Sequence, residues 1–138
     1  MVQNIDYAPT FLELTGNKVP SDMQGNSLAP LFEKNPKQQP EWRNAVYYHY
    51  YEFPNEHMVK RHYGIRTERY KLVHFYFDID SWEFYDLEND PYELNNLFGK
   101  PEYTEVINRV KTQLKDQIIK YKDNEALTIF EGKLVVKE

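Results

Sequence analysis

The chain has 138 residues, enough for one domain with a buried core. Twelve Tyr, eight Phe and two Trp exclude a disordered composition, and a net charge of −5 argues against general nucleic-acid binding. The absence of cysteine removes disulfides, thiolate metal sites and Cys nucleophiles together, and no apolar run approaches the roughly 18 residues of a membrane span.

Residues 1–6 lead directly into an amphipathic pattern and do not read as a signal peptide. Ile5 to Leu14 is predicted as a short helix, with Ile5, Ala8, Phe11 and Leu12 near one face. Pro9 fits only within its first turn, which makes Asp6 the natural N-cap, and Gly16 is the stop. A helix this short and apolar needs a partner surface. Asn17 to Gly25 reads as a loop, Leu28 to Phe32 as an apolar turn, and residues 35–40 as a polar surface connection.

Ala45 to Tyr51 has strand character, with Val46, Tyr48 and Tyr50 alternating against Tyr47, His49 and Tyr51. A loop from Glu52 to Lys60 follows. Tyr63 to Thr67 and Tyr70 to Phe77 then form a hairpin through a short link at Glu68 and Arg69. A three-residue link would flip one strand, whereas with two or four residues Thr67 faces Tyr70 and Ile65 faces Leu72. Tyr63, Ile65, Tyr70, Leu72 and Tyr76 then share one face, and His62, Arg66, Lys71, Val73 and Phe75 the other. Trp82 to Leu87 is a third strand of this sheet. From Glu102 to Tyr121, apolar residues recur at steps of three and four: Tyr103, Val106, Ile107, Val110, Leu114, Ile118 and Tyr121. That stripe must bury itself, and the aromatic sheet face is the obvious place. Leu127 to Phe130 and Leu134 to Val136 are expected to close as a last hairpin. The fold class is α+β: an antiparallel sheet with one long helix across it.

The search for chemistry is largely negative. Asp78, Asp80, Asp86, Glu88 and Asp90 alternate as in a calcium loop, but Pro91 and Leu97 break the EF-hand template. They read as a solvated acidic edge. His74 and His49 lie among strand aromatics and read as packing residues. No Gly-x-Ser-x-Gly elbow, phosphate loop or His-Glu-x-x-His pair exists. His57, Arg61 and His62 differ, because they bracket a loop-to-strand junction, where ligand groups tend to sit. A hairpin lining an anion pocket would look like this, and so would an ordinary polar sheet face.

Five stretches in order, NIDYAPTFLELTG, MQGNSLAPLF, WRNAVYYHYYEFP, HYGIRTERYKLVHFY and WEFYDLENDPYELNNLF, resemble the C-terminal part of type I sulfatases. The resemblance is to the branch with arylsulfatases and the sulfatases of N-sulfoglucosamine and N-acetylglucosamine 6-sulfate. It implies a four-stranded antiparallel sheet packed on a C-terminal helix. It also implies calcium and a formylglycine, both in a large catalytic domain that this chain lacks. Pro20-Ser21 is followed by Asp22, and Lys18 stands at the nucleophile's place, so no catalytic residue is expected here.

The resemblance places a loop of this subdomain on one side of the pocket for a sulfated sugar. His57, Arg61 and His62 match that loop as substrate-binding residues. The expected organisation is one domain over residues 1–138. Residues 1–16 would pack on the catalytic domain, 45–122 form sheet and helix, and 123–138 are a tail without assigned role. A dimer through the exposed first helix, and a periplasmic or secreted parent, are further expectations. The alternative is a free-standing carbohydrate- or protein-binding module.

Overall fold

A computed structural model describes residues 1–32 and 41–133. The connection expected at 35–40 and the Leu134 to Val136 half of the last hairpin lie outside the described residues. The chain divides into two compact units, Met1–Asn44 and Ala45–Glu138.

In the first unit, a 3₁₀ turn, Asn4–Asp6, runs directly into α1, Tyr7–Leu14. Asp6 stands at the expected N-cap position of α1 but already has helical backbone angles, and its side chain caps the preceding 3₁₀ turn through the Gln3 N–H rather than α1. It is fully buried and acts as a junction. Its carboxylate accepts from the Gln3 N–H (2.8 Å), the Asn26 N–H (2.9 Å) and Arg43 Nη2 (2.5 Å). Burial pushes this carboxyl's pKa up, but the hydrogen bonds and the Arg43 charge outweigh it and hold the pKa low. Asn26 reaches Asp6 because residue 25 is glycine: a Cβ there would lie 1.9 Å from the Ile5 carbonyl oxygen. The far end closes as expected. Gly16 takes a φ of +74°, and the Asn17 N–H reaches back to the Leu12 carbonyl at 2.8 Å. The apolar face differs from the one expected. Pro9 and Thr10 turn inward, whereas Tyr7, Phe11 and Leu14 form an exposed stripe, Phe11 at 65%.

The second unit is a four-stranded antiparallel meander: β1 (Ala45–Tyr50), β2 (His62–Thr67), β3 (Tyr70–Phe75) and β4 (Ser81–Asp86). The β2–β3 link has two residues, one of the two lengths that keep the expected sorting, so Ile65 pairs with Leu72 and Arg66 with Lys71. The Thr67 hydroxyl accepts from the Tyr70 N–H and donates to its carbonyl, sealing the turn. Period two then puts Tyr63, Ile65, Leu72 and Tyr76 into the core, each at most 2% exposed. On the outer face a Cβ at Gly64 would lie 2.6 Å from the Leu72 carbonyl oxygen and 2.8 Å from the Tyr48 hydroxyl, so the strand tolerates no side chain there. The free edge of β4 is closed by Asn96, whose amide oxygen accepts from the Phe84 N–H and whose amide nitrogen donates to the Trp82 carbonyl.

The long helix α2, Thr104–Lys120, follows a 3₁₀ turn at Pro101–Tyr103. Ile107, Val110, Leu114 and Ile118 are its buried stripe and join Tyr47, Tyr63, Ile65, Leu72 and Phe84 in one core. Val106 is only partly buried at the margin.

The expected last hairpin is not formed by Leu127 to Phe130. Those residues belong to a further helix, α3, Asn124–Phe130. The cause is local. Lys122 takes a φ of +56°, and Asp123 caps the new helix by accepting the Ala126 N–H at 2.9 Å. Helical spacing then buries Ala126 and sets Leu127, Ile129 and Phe130 against the core.

Candidate functional site

The loop between β1 and β2, residues 51–61, carries two of the three residues singled out, and the third begins β2. Arg61 closes the loop at its foot. Its Nε donates to the Tyr51 carbonyl at 3.1 Å, and its Nη2 donates to the Phe53 carbonyl. The Arg61 carbonyl accepts from the Tyr76 N–H at 3.2 Å, and the guanidinium lies 3.6 Å from Asp78. This guanidinium holds loop backbone, a commitment that the sequence does not show.

His62 lies half-buried on the outer sheet face. Its ring stacks on Tyr50 (5.5 Å) and sits beside Phe75 (5.1 Å). Nδ1 is 2.7 Å from the Lys60 carbonyl and must donate to it, which leaves Nε2 as an acceptor in the neutral ring. His57 is exposed in the turn closed by the Met58 N–H on the Asn55 carbonyl. Its imidazole makes no hydrogen bond, ion pair or ring contact with any other described residue. The structure thus brings Arg61 and His62 together at the loop's foot and leaves His57 out on the loop.

The two remaining histidines are packed and saturated, as expected. His74 Nε2 is 2.9 Å from Asp80 and Nδ1 is 2.8 Å from the Tyr63 hydroxyl, with the ring flat on Trp82 at 4.1 Å. Burial pushes the His74 pKa down, opposed in part by Asp80. His49 uses both nitrogens as well: Nδ1 lies 2.6 Å from Asp123 and Nε2 lies 2.6 Å from the Tyr76 hydroxyl. The same Asp123 Oδ2 accepts from the Tyr47 hydroxyl at 2.8 Å and the Tyr51 hydroxyl at 3.3 Å. Burial first, then Asp123, pushes the Tyr51 pKa up to about 12, so this hydroxyl is a donor at any physiological pH. Sequence reasoning missed Asp123. The available signal was an aspartate three residues before a buried alanine, the spacing of an N-cap.

The acidic residues of the expected solvated edge are not all solvated. Asp86 is buried against Arg69, whereas Asp80 is exposed and pairs with His74. Asp78 faces Arg61, and Asp90 accepts the Asn95 N–H. Among the described residues no three His, Cys, Asp or Glu side chains converge as metal ligands. The sequence holds no cysteine, and Ser21 is followed by aspartate. The residues present fit neither calcium nor formylglycine, and no step through either group is assigned to this chain.

The family profile described as N-sulphoglucosamine sulphohydrolase, C-terminal, matches residues 1–120. The chain belongs to that family. The N-acetylglucosamine-6-O-sulfatase of Bacteroides thetaiotaomicron is 55% identical to this chain over 122 residues, 88% of the chain and 22% of the relative. A Delta 4,5-hexuronate-2-O-sulfatase of the same organism is 33% identical over 126 residues, 87% of the chain and 24% of the relative. A solved enzyme in complex with its substrate D-glucosamine-2-N,6-O-disulfate superposes with a TM-score of 0.81 at 55% identity, covering 86% of this chain and 24% of that one. The chain thus spans about a fifth to a quarter of the relatives it matches. A phosphonate monoester hydrolase from Silicibacter pomeroyi, at 21% identity and a TM-score of 0.71, shares the fold alone.

Proposed function

We propose that this chain is the C-terminal subdomain of a sulfatase that hydrolyses sulfate esters on glycosaminoglycan sugars. The observation that carries the reading is the family match over residues 1–120. The 55% identity to an N-acetylglucosamine-6-O-sulfatase makes a 6-sulfated glucosamine the first substrate class to test. The sulfur chemistry, with its calcium and formylglycine, belongs to a catalytic domain outside this chain, in a periplasmic or secreted parent. The exposed stripe of Tyr7, Phe11 and Leu14 meets that domain; in the isolated chain the same stripe draws copies together. The free-standing binding module has no comparable support.

In this reading loop 51–61 forms one side of the sugar pocket, with His57 and His62 as hydrogen-bonding groups. Arg61 contributes chiefly by holding the loop, since its donors already face two carbonyls. A sulfated sugar offers charge and hydroxyls, and imidazole can donate in either protonation state. Remote from the sulfur atom, these contacts bind ground and transition states alike. In the sulfatase that contains this chain, His57→Ala or His62→Ala should raise KM for a glucosamine 6-sulfate and leave kcat nearly unchanged. Each lost contact should lower kcat/KM by about tenfold to a hundredfold. A small aryl sulfate, without the sugar, should be unaffected. Equal loss of kcat on both substrates would mean that these residues support the catalytic centre instead.

A further inference from the structure

The polar contacts around Asp123 close on themselves. Asp123 Oδ2 accepts from the Tyr51 hydroxyl; the Tyr51 carbonyl accepts from Arg61 Nε; the Arg61 carbonyl accepts from the Tyr76 N–H. The Tyr76 hydroxyl then meets His49 Nε2, and His49 Nδ1 returns to Asp123 Oδ2. The Tyr51 ring also lies on His49, with centroids 3.9 Å apart. Both ends of loop 51–61 are therefore links of one circuit. An ionised carboxylate can only accept, so Asp123 also sets the direction of the two His49 links. His49 must present Nδ1–H to it, and the neutral ring then accepts the Tyr76 proton at Nε2. The other oxygen of the same carboxylate caps α3. This helix lies beyond residue 120, where the family match ends.

We infer that Asp123 is a positioning residue: it ties the docking of α3 to the stance of loop 51–61, and so to where His57 points. The importance of that stance for a sugar rests on the function proposed above, but the mechanical link does not.

Asp123→Asn separates the two roles. The amide keeps an oxygen for the Ala126 N–H, and asparagine is as good a cap as aspartate. Its NH2 cannot accept from Tyr47, Tyr51 and His49. In the full 138-residue chain, trypsin cleavage between Lys60 and Arg61 should accelerate by about tenfold. Hydrogen exchange at the Leu127 amide, which bonds the Asp123 carbonyl, should stay at the wild-type rate. Cleavage at Lys71, inside β3, is the control for global unfolding. Tyr51→Phe removes a single hydroxyl from a half-exposed ring and should speed the same cleavage by a smaller factor. If Asp123→Asn does not fold, that variant decides.

Unchanged cleavage after Lys60 in the variants that fold would overturn the inference. In the sulfatase that contains this chain, Asp123→Asn should raise KM for a glucosamine 6-sulfate and spare kcat, as His57→Ala does. A loosened loop with no KM change in His57→Ala would uphold the link and refute the sugar contact. A raised KM in His57→Ala, with loop and KM unchanged in Asp123→Asn, would do the reverse.

Discussion

Arg69 grips Asp86 with two parallel bonds, Nε to Oδ1 at 3.0 Å and Nη2 to Oδ2 at 2.8 Å. The carboxylate is buried at the end of β4 and the arginine is half-exposed in the β2–β3 turn, so the pair ties the turn to the far strand. The Arg69 bonds, with those from Asn89 and the Glu88 N–H, hold the Asp86 pKa below the usual carboxylate range against its burial. A carboxyl with a depressed folded pKa stabilises the fold above its unfolded value of about 3.9. That contribution disappears as pH falls through the folded value. Removing the guanidinium in Arg69→Ala raises the folded pKa. The acid-unfolding midpoint followed by circular dichroism should therefore move to higher pH. An unmoved midpoint would mean that the remaining donors suffice.

Leu114 is fully buried at the middle of the α2 stripe. Leu114→Ala should cost about 2–5 kcal/mol in urea melts, the range for a truncated core leucine. A loss below about 0.5 kcal/mol would mean that the helix does not pack as described.

His74 provides a second pH signature. Burial pushes its pKa down, so the folded state prefers the neutral ring. The resulting stability is present above about pH 6.5, the unfolded value, and is lost as pH falls through the lower folded value. Asp80, which faces the ring, opposes the shift, and the Lys111 charge adds to it. Urea midpoints should fall between pH 7.5 and pH 5, and His74→Gln should flatten that part of the profile. An equal slope in the variant would assign the effect to other groups.

The Tyr7, Phe11 and Leu14 stripe should make the isolated chain associate as its concentration rises. Sedimentation velocity checks this, and Phe11→Glu should return the chain to monomer. Identical sedimentation of the two proteins would leave the stripe without this role.

The sheet was legible because its evidence is local. Alternation from Tyr63 to Thr67 and Tyr70 to Phe75, with a two-residue link, fixes which side chains meet α2. The α2 stripe was legible from its spacing. The α3 helix was not, because Leu127, Thr128, Ile129 and Phe130 read as a strand until Asp123 is recognised as a cap. Asp6 holds the N-cap position read from the sequence, but a 3₁₀ turn upstream had already made its backbone helical, so its side chain serves that turn instead of α1. The circuit through residues 49, 51, 61, 76 and 123 has no local signal, since the Asp123 links span more than 70 positions. The role of Arg61 was equally hidden, because its partners are carbonyl groups that every sequence possesses.

The crowding at Gly64 makes change in the two facing positions one-way. Shrinking the Tyr48 ring would remove one obstacle and leave the Leu72 carbonyl oxygen 2.6 Å from any Cβ at 64. Related chains should therefore vary at 48 while keeping glycine at 64. The reverse exchange, a side chain at 64 over an unaltered ring at 48, would have to move the backbone of β3 first.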